Sequence, residues 1–172
     1  MNMAVTGTPG CGKTTLAKSL GKLLKMAAIN EKDFALKNGI GSFNEENELE
    51  IPVKEFEKKA NAFLAKNDGV ILEGHVLCEM KLKVDRLVLL TISPEALESR
   101  LEQRHYAPQK VMDNVFCEGI EYCKKHAIRN YPKDKVFVVS SKPSSRQTLL
   151  GALRLLSVAS QKRPKTAKKR RL

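Results

Sequence analysis

A chain of 172 residues with 42% hydrophobic residues and a net charge of +12 is long enough to bury one core of its own, and its ordinary composition excludes a disordered or collagen-like polymer. No apolar run reaches membrane-spanning length, and the N-terminus lacks the charged lead and long apolar stretch of a secretory signal. The expected location is therefore cytoplasmic, or nuclear in a eukaryote, with no membrane partner.

The first element is a short apolar strand over 2–6, running into Gly7-Thr8-Pro9-Gly10-Cys11-Gly12-Lys13-Thr14-Thr15 and then an apolar-periodic helix that closes near Leu24. The spacing is G-x-x-x-x-G-K-[ST] between a strand and a helix, the context a phosphate-binding loop needs. Gly7, Gly10 and Gly12 let the backbone wrap an anion, and successive N–H groups at a helix N-terminus point at its oxygens. Lys13 brings a positive charge to the β/γ-phosphates, and the Thr14 hydroxyl suits Mg²⁺. ATP with Mg²⁺ is the ligand this implies. Gly10, Gly12, Lys13, Thr14 and Thr15 are the candidate phosphate contacts.

Residues 25–30 read as a second strand and 33–37 as a short helix stopped by Asn38-Gly39. An acidic, glycine-containing loop follows over 41–48, and Pro52 opens a helix with Val53, Phe56, Ala60, Phe63 and Leu64 on one face. Val70-Ile71-Leu72 and Arg86 to Ile92 lack polar alternation, the mark of strands buried on both faces of a parallel sheet. Ser93-Pro94 caps a helix carrying Leu97 and Leu101, which His105-Tyr106-Ala107-Pro108 interrupts. One further helix is expected over 108–126, a fifth strand over 136–141 and a last helix over 147–158. Strands alternating with helices predict an α/β fold, a three-layer P-loop NTPase around a five-stranded parallel sheet, with its ligand at the carboxyl ends of the strands.

Around the loop, Glu73 ends the third strand, where an acid positions Mg²⁺, and His75 stands two residues on, able to orient a water or an acceptor phosphate. Arg100 and Arg104 share a helix face, placed to neutralise charge on a transferred group, and Lys142 follows the last strand, where a loop lies against a nucleotide base. The four cysteines, Cys11, Cys78, Cys117 and Cys123, show no C-x-x-C pairing and read as reduced thiols and not as a metal site. Residues 161–172 hold seven basic residues and no acid, a segment read as a disordered tail: either a solubilising appendage or an RNA contact.

Together the segments 6–16, Ile29-Asn30, Asn44-Glu45-Glu46, Glu73-Gly74-His75, 100–106, Asp113-Asn114-Val115, Cys117-Glu118 and Ser141-Lys142-Pro143 resemble the adenylate kinase 6 family, and an archaeal member of it. The resemblance implies a nucleoside-monophosphate-kinase-like domain over 1–160, with an acceptor-nucleotide segment at 31–65 and a short lid at 102–112. It implies ATP-dependent phosphorylation of AMP, an ATPase activity, and a role in late maturation of the small ribosomal subunit and its rRNA, with a small-subunit platform ribosomal protein as partner. It makes Lys13, Glu73, His75 and Arg104 the catalytic set, Thr14 and Glu73 the metal ligands, and Arg104 and Lys142 further nucleotide contacts. Three departures stand out. The family has Asp at the place of Glu73 and Gly at that of His105, and it has an acceptor-phosphate arginine where Leu36 stands beside Lys37. No arginine occurs from residue 1 to 85, which leaves two alternatives open: a ribosome-assembly ATPase with incidental kinase activity, or a kinase of another small acceptor.

Overall fold

The computed structural model describes residues 1–161. In chain order the elements are β1 (Met3–Thr6), α1 (Lys13–Leu24), β2 (Ala27–Asn30), α2 (Glu31–Lys37), β3 (Ser42–Phe43), β4 (Leu49–Glu50), α3 (Val53–Lys66), β5 (Val70–Glu73), a 3₁₀ turn at Val76–Glu79, β6 (Arg86–Thr91), α4 (Pro94–Gln103), α5 (Pro108–Gly119), α6 (Tyr122–Asn130), a 3₁₀ turn at Lys133–Lys135, β7 (Val136–Ser140) and α7 (Ser145–Gln161). Five strands make one parallel sheet in the order β2-β5-β1-β6-β7. The expected α/β, three-layer P-loop architecture is therefore the one observed.

The unbroken apolar run of β6 has a direct packing reason. Leu87 and Leu89 enter a core with Phe34, Phe56 and Leu77, while Val88 and Leu90 enter a second core with Leu16, Leu20 and Leu97. The first core lies under α2, α3 and α6, the second under α1, α4 and α7. Burying both faces of a strand stabilises the fold by about 25 cal/mol for each Å² of apolar surface taken out of water. The Phe34 ring packs at 5.1 Å from Phe56 and 5.4 Å from Phe63, tying α2 to α3.

Four expectations change. The single helix over 108–126 is two: α5 ends at Gly119, and Glu121 takes a left-handed conformation at φ 55° before α6 turns away. The loop over 41–48 is the turn of an antiparallel hairpin, pairing Ser42 with Glu50 and Phe43 with Leu49. Its turn is built by Asn44, whose side-chain oxygen accepts from the backbone N–H of Glu46 at 3.0 Å and Glu48 at 2.9 Å. Strand β2 starts at Ala27 because Lys25, at φ 55°, caps α1. The last helix runs on to Gln161, which takes the first residue of the expected tail; 162–172 lie outside the described residues.

Candidate active site

The loop from β1 to α1 wraps over the carboxyl ends of β1 and β6. Gly7 sits at φ 145° with its α-carbon against the Leu90 carbonyl, so a side chain there would collide with backbone. Gly12 caps α1 at φ 106°, and no acid stands in the first turn of that helix. The Lys13 ammonium lies folded over the loop, donating to the Thr8 carbonyl at 3.1 Å. This leaves a positive point charge and a helix N-terminus facing one space, an arrangement that suits an anion. Cys11 is fully buried in the loop, and burial pushes its thiol up to about 11, so it offers no nucleophile.

At the start of α1 the Thr14 hydroxyl donates to a Glu73 carboxylate oxygen at 3.0 Å, and the Asn30 amide donates to the same oxygen at 2.6 Å. Two neighbouring elements thus gather a hydroxyl and a carboxylate, hard oxygen donors that suit Mg²⁺ shared with phosphates, while the Asn30 NH₂ group orients the carboxylate. Glu73 is 3% exposed, and its longer side chain still reaches Thr14, so the departure from Asp leaves the pair intact.

His75 stands beside this pair and is held by a residue that the sequence reading did not single out. Its backbone N–H donates to Glu31 at 3.0 Å, its carbonyl accepts from Thr6 and Cys78, and its ring Nδ1 lies 2.6 Å from Glu31 Oε1. Hydrogen bonding to Glu31 holds the imidazole above its usual pKa. The Glu31 carboxylate presses so closely on Gly74 that a side chain at 74 would overlap it, which explains the glycine between Glu73 and His75.

The two arginines of α4 divide their tasks. Arg100 is spoken for: it donates to the Cys11 carbonyl at 3.3 Å, the Ser141 hydroxyl at 3.0 Å and the Lys142 carbonyl at 3.0 Å. It braces the β7–α7 loop against the phosphate loop while lining the same cavity as Arg104. Arg104, at the end of α4, makes no side-chain hydrogen bond or ion pair among the described residues, and lines a cavity of about 400 Å³ with Gly12, Thr15, Gln103 and Lys142. His105 beside it has φ 58°, a conformation glycine adopts without cost.

A larger cavity of about 1030 Å³ opens on the other side, between the β3–β4 hairpin and α5, with Asn30, Lys32, His75, Tyr106 and Lys110 in its wall. The cation that α2 presents to it is Lys32, not Lys37, and among the described residues no arginine lines it. An ion pair between Glu48 of the hairpin and Lys110 of α5 closes its rim. Glu118, also on α5, accepts from the Thr8 hydroxyl and from the Ile92 N–H at 2.9 Å, fastening the lid side to the phosphate loop.

Fold and loop together define a P-loop NTPase of nucleoside-monophosphate-kinase-like architecture. Shikimate kinase from Aquifex aeolicus superposes with a TM-score of 0.64 at 17% identity, covering 95% of this chain and all of that one. A gluconokinase from Sinorhizobium meliloti gives 0.62 at 15% identity, covering 93% of this chain and 94% of that one. At such identities the likeness is one of fold. In sequence, a family described as an AAA domain matches residues 3–141. A Thermococcus kodakarensis protein named "Putative adenylate kinase" is 41% identical over 122 residues, 70% of this chain and 66% of the relative. The namesake in Methanococcus maripaludis is 32% identical over 146 residues, 81% of this chain and 78% of the relative. The chain belongs to this adenylate-kinase-like family, whose relatives named here are archaeal. It spans slightly under two thirds of the length of the Thermococcus relative and 65% of that of the Pyrococcus furiosus one.

Proposed function

We propose that this protein is an ATP-dependent nucleoside monophosphate kinase, converting ATP and AMP to two ADP, with ATPase activity, and that it is an adenylate kinase 6 family member acting in late maturation of the small ribosomal subunit. The observation that carries the catalytic part is the Thr14–Glu73 pair at 3.0 Å, set between the phosphate loop and an acceptor-sized cavity of about 1030 Å³. The relatives' name supports the acceptor assignment.

In this reading Gly10, Gly12, Lys13, Thr14 and Thr15 hold the triphosphate, and Arg104 and Lys142 close on the nucleotide side. Thr14 and Glu73 are the residues that would hold Mg²⁺, which supplies charge neutralisation across the β- and γ-phosphates when bound. His75 orients the attacking oxygen from the acceptor side, and Arg104 meets the charge that develops on the transferred group. No covalent enzyme intermediate is required; rate comes from positioning and charge stabilisation. The nucleoside monophosphate segment over 31–65 and the lid over 102–112 frame the larger cavity, within a catalytic domain over 1–160.

One observation favours the second reading, an assembly ATPase with incidental kinase activity. Among the described residues the larger cavity offers Lys32 and an engaged Lys110 to an acceptor phosphate but no arginine, and a lysine cannot make the bidentate grip. A kinase of another small acceptor fits less well, because the relatives are named for adenylate kinase. Initial rates of ATP consumption with AMP, with other monophosphates and with none separate the three readings. The kinase reading expects AMP to accelerate turnover, whereas equal rates with and without any monophosphate support the ATPase.

The ribosomal part of the reading assigns the basic segment 161–172 to RNA, a platform ribosomal protein to the partner role, and the cytoplasm, or the nucleus in a eukaryote, as location. Among the described residues no helix is long and apolar enough to cross a membrane. Deleting 161–172 is expected to leave ATP turnover nearly unchanged and to weaken RNA binding. Seven positive charges release several counterions, so log affinity should fall with log salt with a slope of roughly −5 to −6, and truncation should flatten it. Binding isotherms at two or more salt concentrations check this; identical slopes would reduce the segment to a solubilising appendage.

A further inference from the structure

Glu31 stands at the junction of β2 and α2, 44 residues from His75 in the chain, yet its carboxylate is built into the turn that carries His75. A carboxylate with its side chain only 8% exposed needs partners, and Glu31 has three: the backbone N–H groups of His75 at 3.0 Å and Val76 at 3.2 Å, and the ring Nδ1 of His75 at 2.6 Å. The ring contact is the shortest. The imidazole itself is 51% exposed and lies in the wall of the larger cavity, with Asn30, Lys32 and Tyr106 around it. One edge of the ring is therefore anchored to a buried anion and the opposite edge is turned to the acceptor space.

Resting on the proposed role of His75, we infer that Glu31 is the positioning residue of this site: it holds His75 with the hydrogen on Nδ1, so that Nε2 presents its lone pair to the attacking oxygen of the acceptor or of water. The bond to Glu31 requires a donor at Nδ1, because a carboxylate only accepts. A neutral ring donating at Nδ1 has no hydrogen on Nε2. Glu31 thus decides which nitrogen faces the cavity without touching the substrate. The same contact fixes the ring's rotation, since the backbone on both sides is pinned by Glu31, Thr6 and Cys78. Gly74 is the counterpart of this device, because any larger residue would displace the carboxylate.

A merely structural Glu31, bracing the turn through the two N–H groups, makes a different forecast. The test uses the full chain labelled with ¹⁵N-histidine, as wild type, Glu31→Gln and His75→Ala, with ATP affinity measured alongside turnover. The imidazole ¹⁵N shifts of neutral His75 should report the Nδ1–H tautomer in the wild type and a shift toward Nε2–H in Glu31→Gln. The same variant should lose about 10- to 100-fold in kcat with its ATP dissociation constant within about 2-fold of wild type. Lost turnover with an unchanged tautomer makes Glu31 a brace and overturns the inference, as does unchanged turnover. A wild-type ring protonated at Nε2 overturns it even if Glu31→Gln does not fold. If His75→Ala keeps full turnover, the role of His75 itself fails, an outcome separate from failure of Glu31 alone.

Discussion

Replacing Lys13 with alanine is expected to abolish ATP turnover, by on the order of 10³-fold or more, while leaving the fold intact. The side chain has no core role: it lies over the loop, and among the described residues its ammonium bonds the Thr8 carbonyl alone, at 3.1 Å. Its removal leaves that carbonyl its bond from the Cys11 N–H at 3.2 Å, so the cost to the fold is small. What is lost is a full positive charge beside phosphates whose own charge rises during transfer. A 10³-fold loss corresponds to about 4 kcal/mol of transition-state stabilisation. Steady-state turnover and circular dichroism on the same preparation check both halves; wild-type turnover would remove the loop from the active site.

Arg104→Ala is expected to lower kcat by about 10²–10³-fold with a much smaller effect on ATP affinity. Arg100, one turn earlier, is committed to three acceptors in the loop and the β7–α7 turn, so it cannot substitute. Arg104 makes no such bonds among the described residues and stands at the corner where α4 gives way, through His105 at φ 58°, to α5. A guanidinium placed at a hinge meets the transferring group when the corner closes, not the ground-state nucleotide. Titration of ATP binding together with saturating turnover separates the two. A raised dissociation constant with unchanged kcat would make Arg104 a ground-state contact.

How far the sequence could be read depended on whether a residue's role was local. The loop from Gly7 to Thr15 was legible because strand, glycines, lysine and helix are contiguous. The three central strands, β1, β5 and β6, were legible because each is buried on both faces and so carries no polar alternation. The break between α5 and α6 was missed: apolar residues continue through it, and the stop is made by a left-handed Glu121, a type that seldom signals one. The hairpin was missed because its strands are two residues each and its turn rests on Asn44 side-chain bonds. Glu31 was missed for a deeper reason. Its partner lies 44 residues away, and the one local trace was the glycine at 74. The roles of Arg100 and Lys32 likewise follow from tertiary placement that helical periodicity does not encode.

The central claim is that the phosphate loop, Glu73 and the larger cavity together transfer a phosphoryl group from ATP to a nucleoside monophosphate. The most direct test follows the terminal phosphate of γ-labelled ATP at saturating AMP and Mg²⁺, scoring label in ADP against label in inorganic phosphate. The account predicts most of the label in ADP, with release to water dominating only when AMP is omitted. Label appearing solely as inorganic phosphate at every AMP concentration would contradict it.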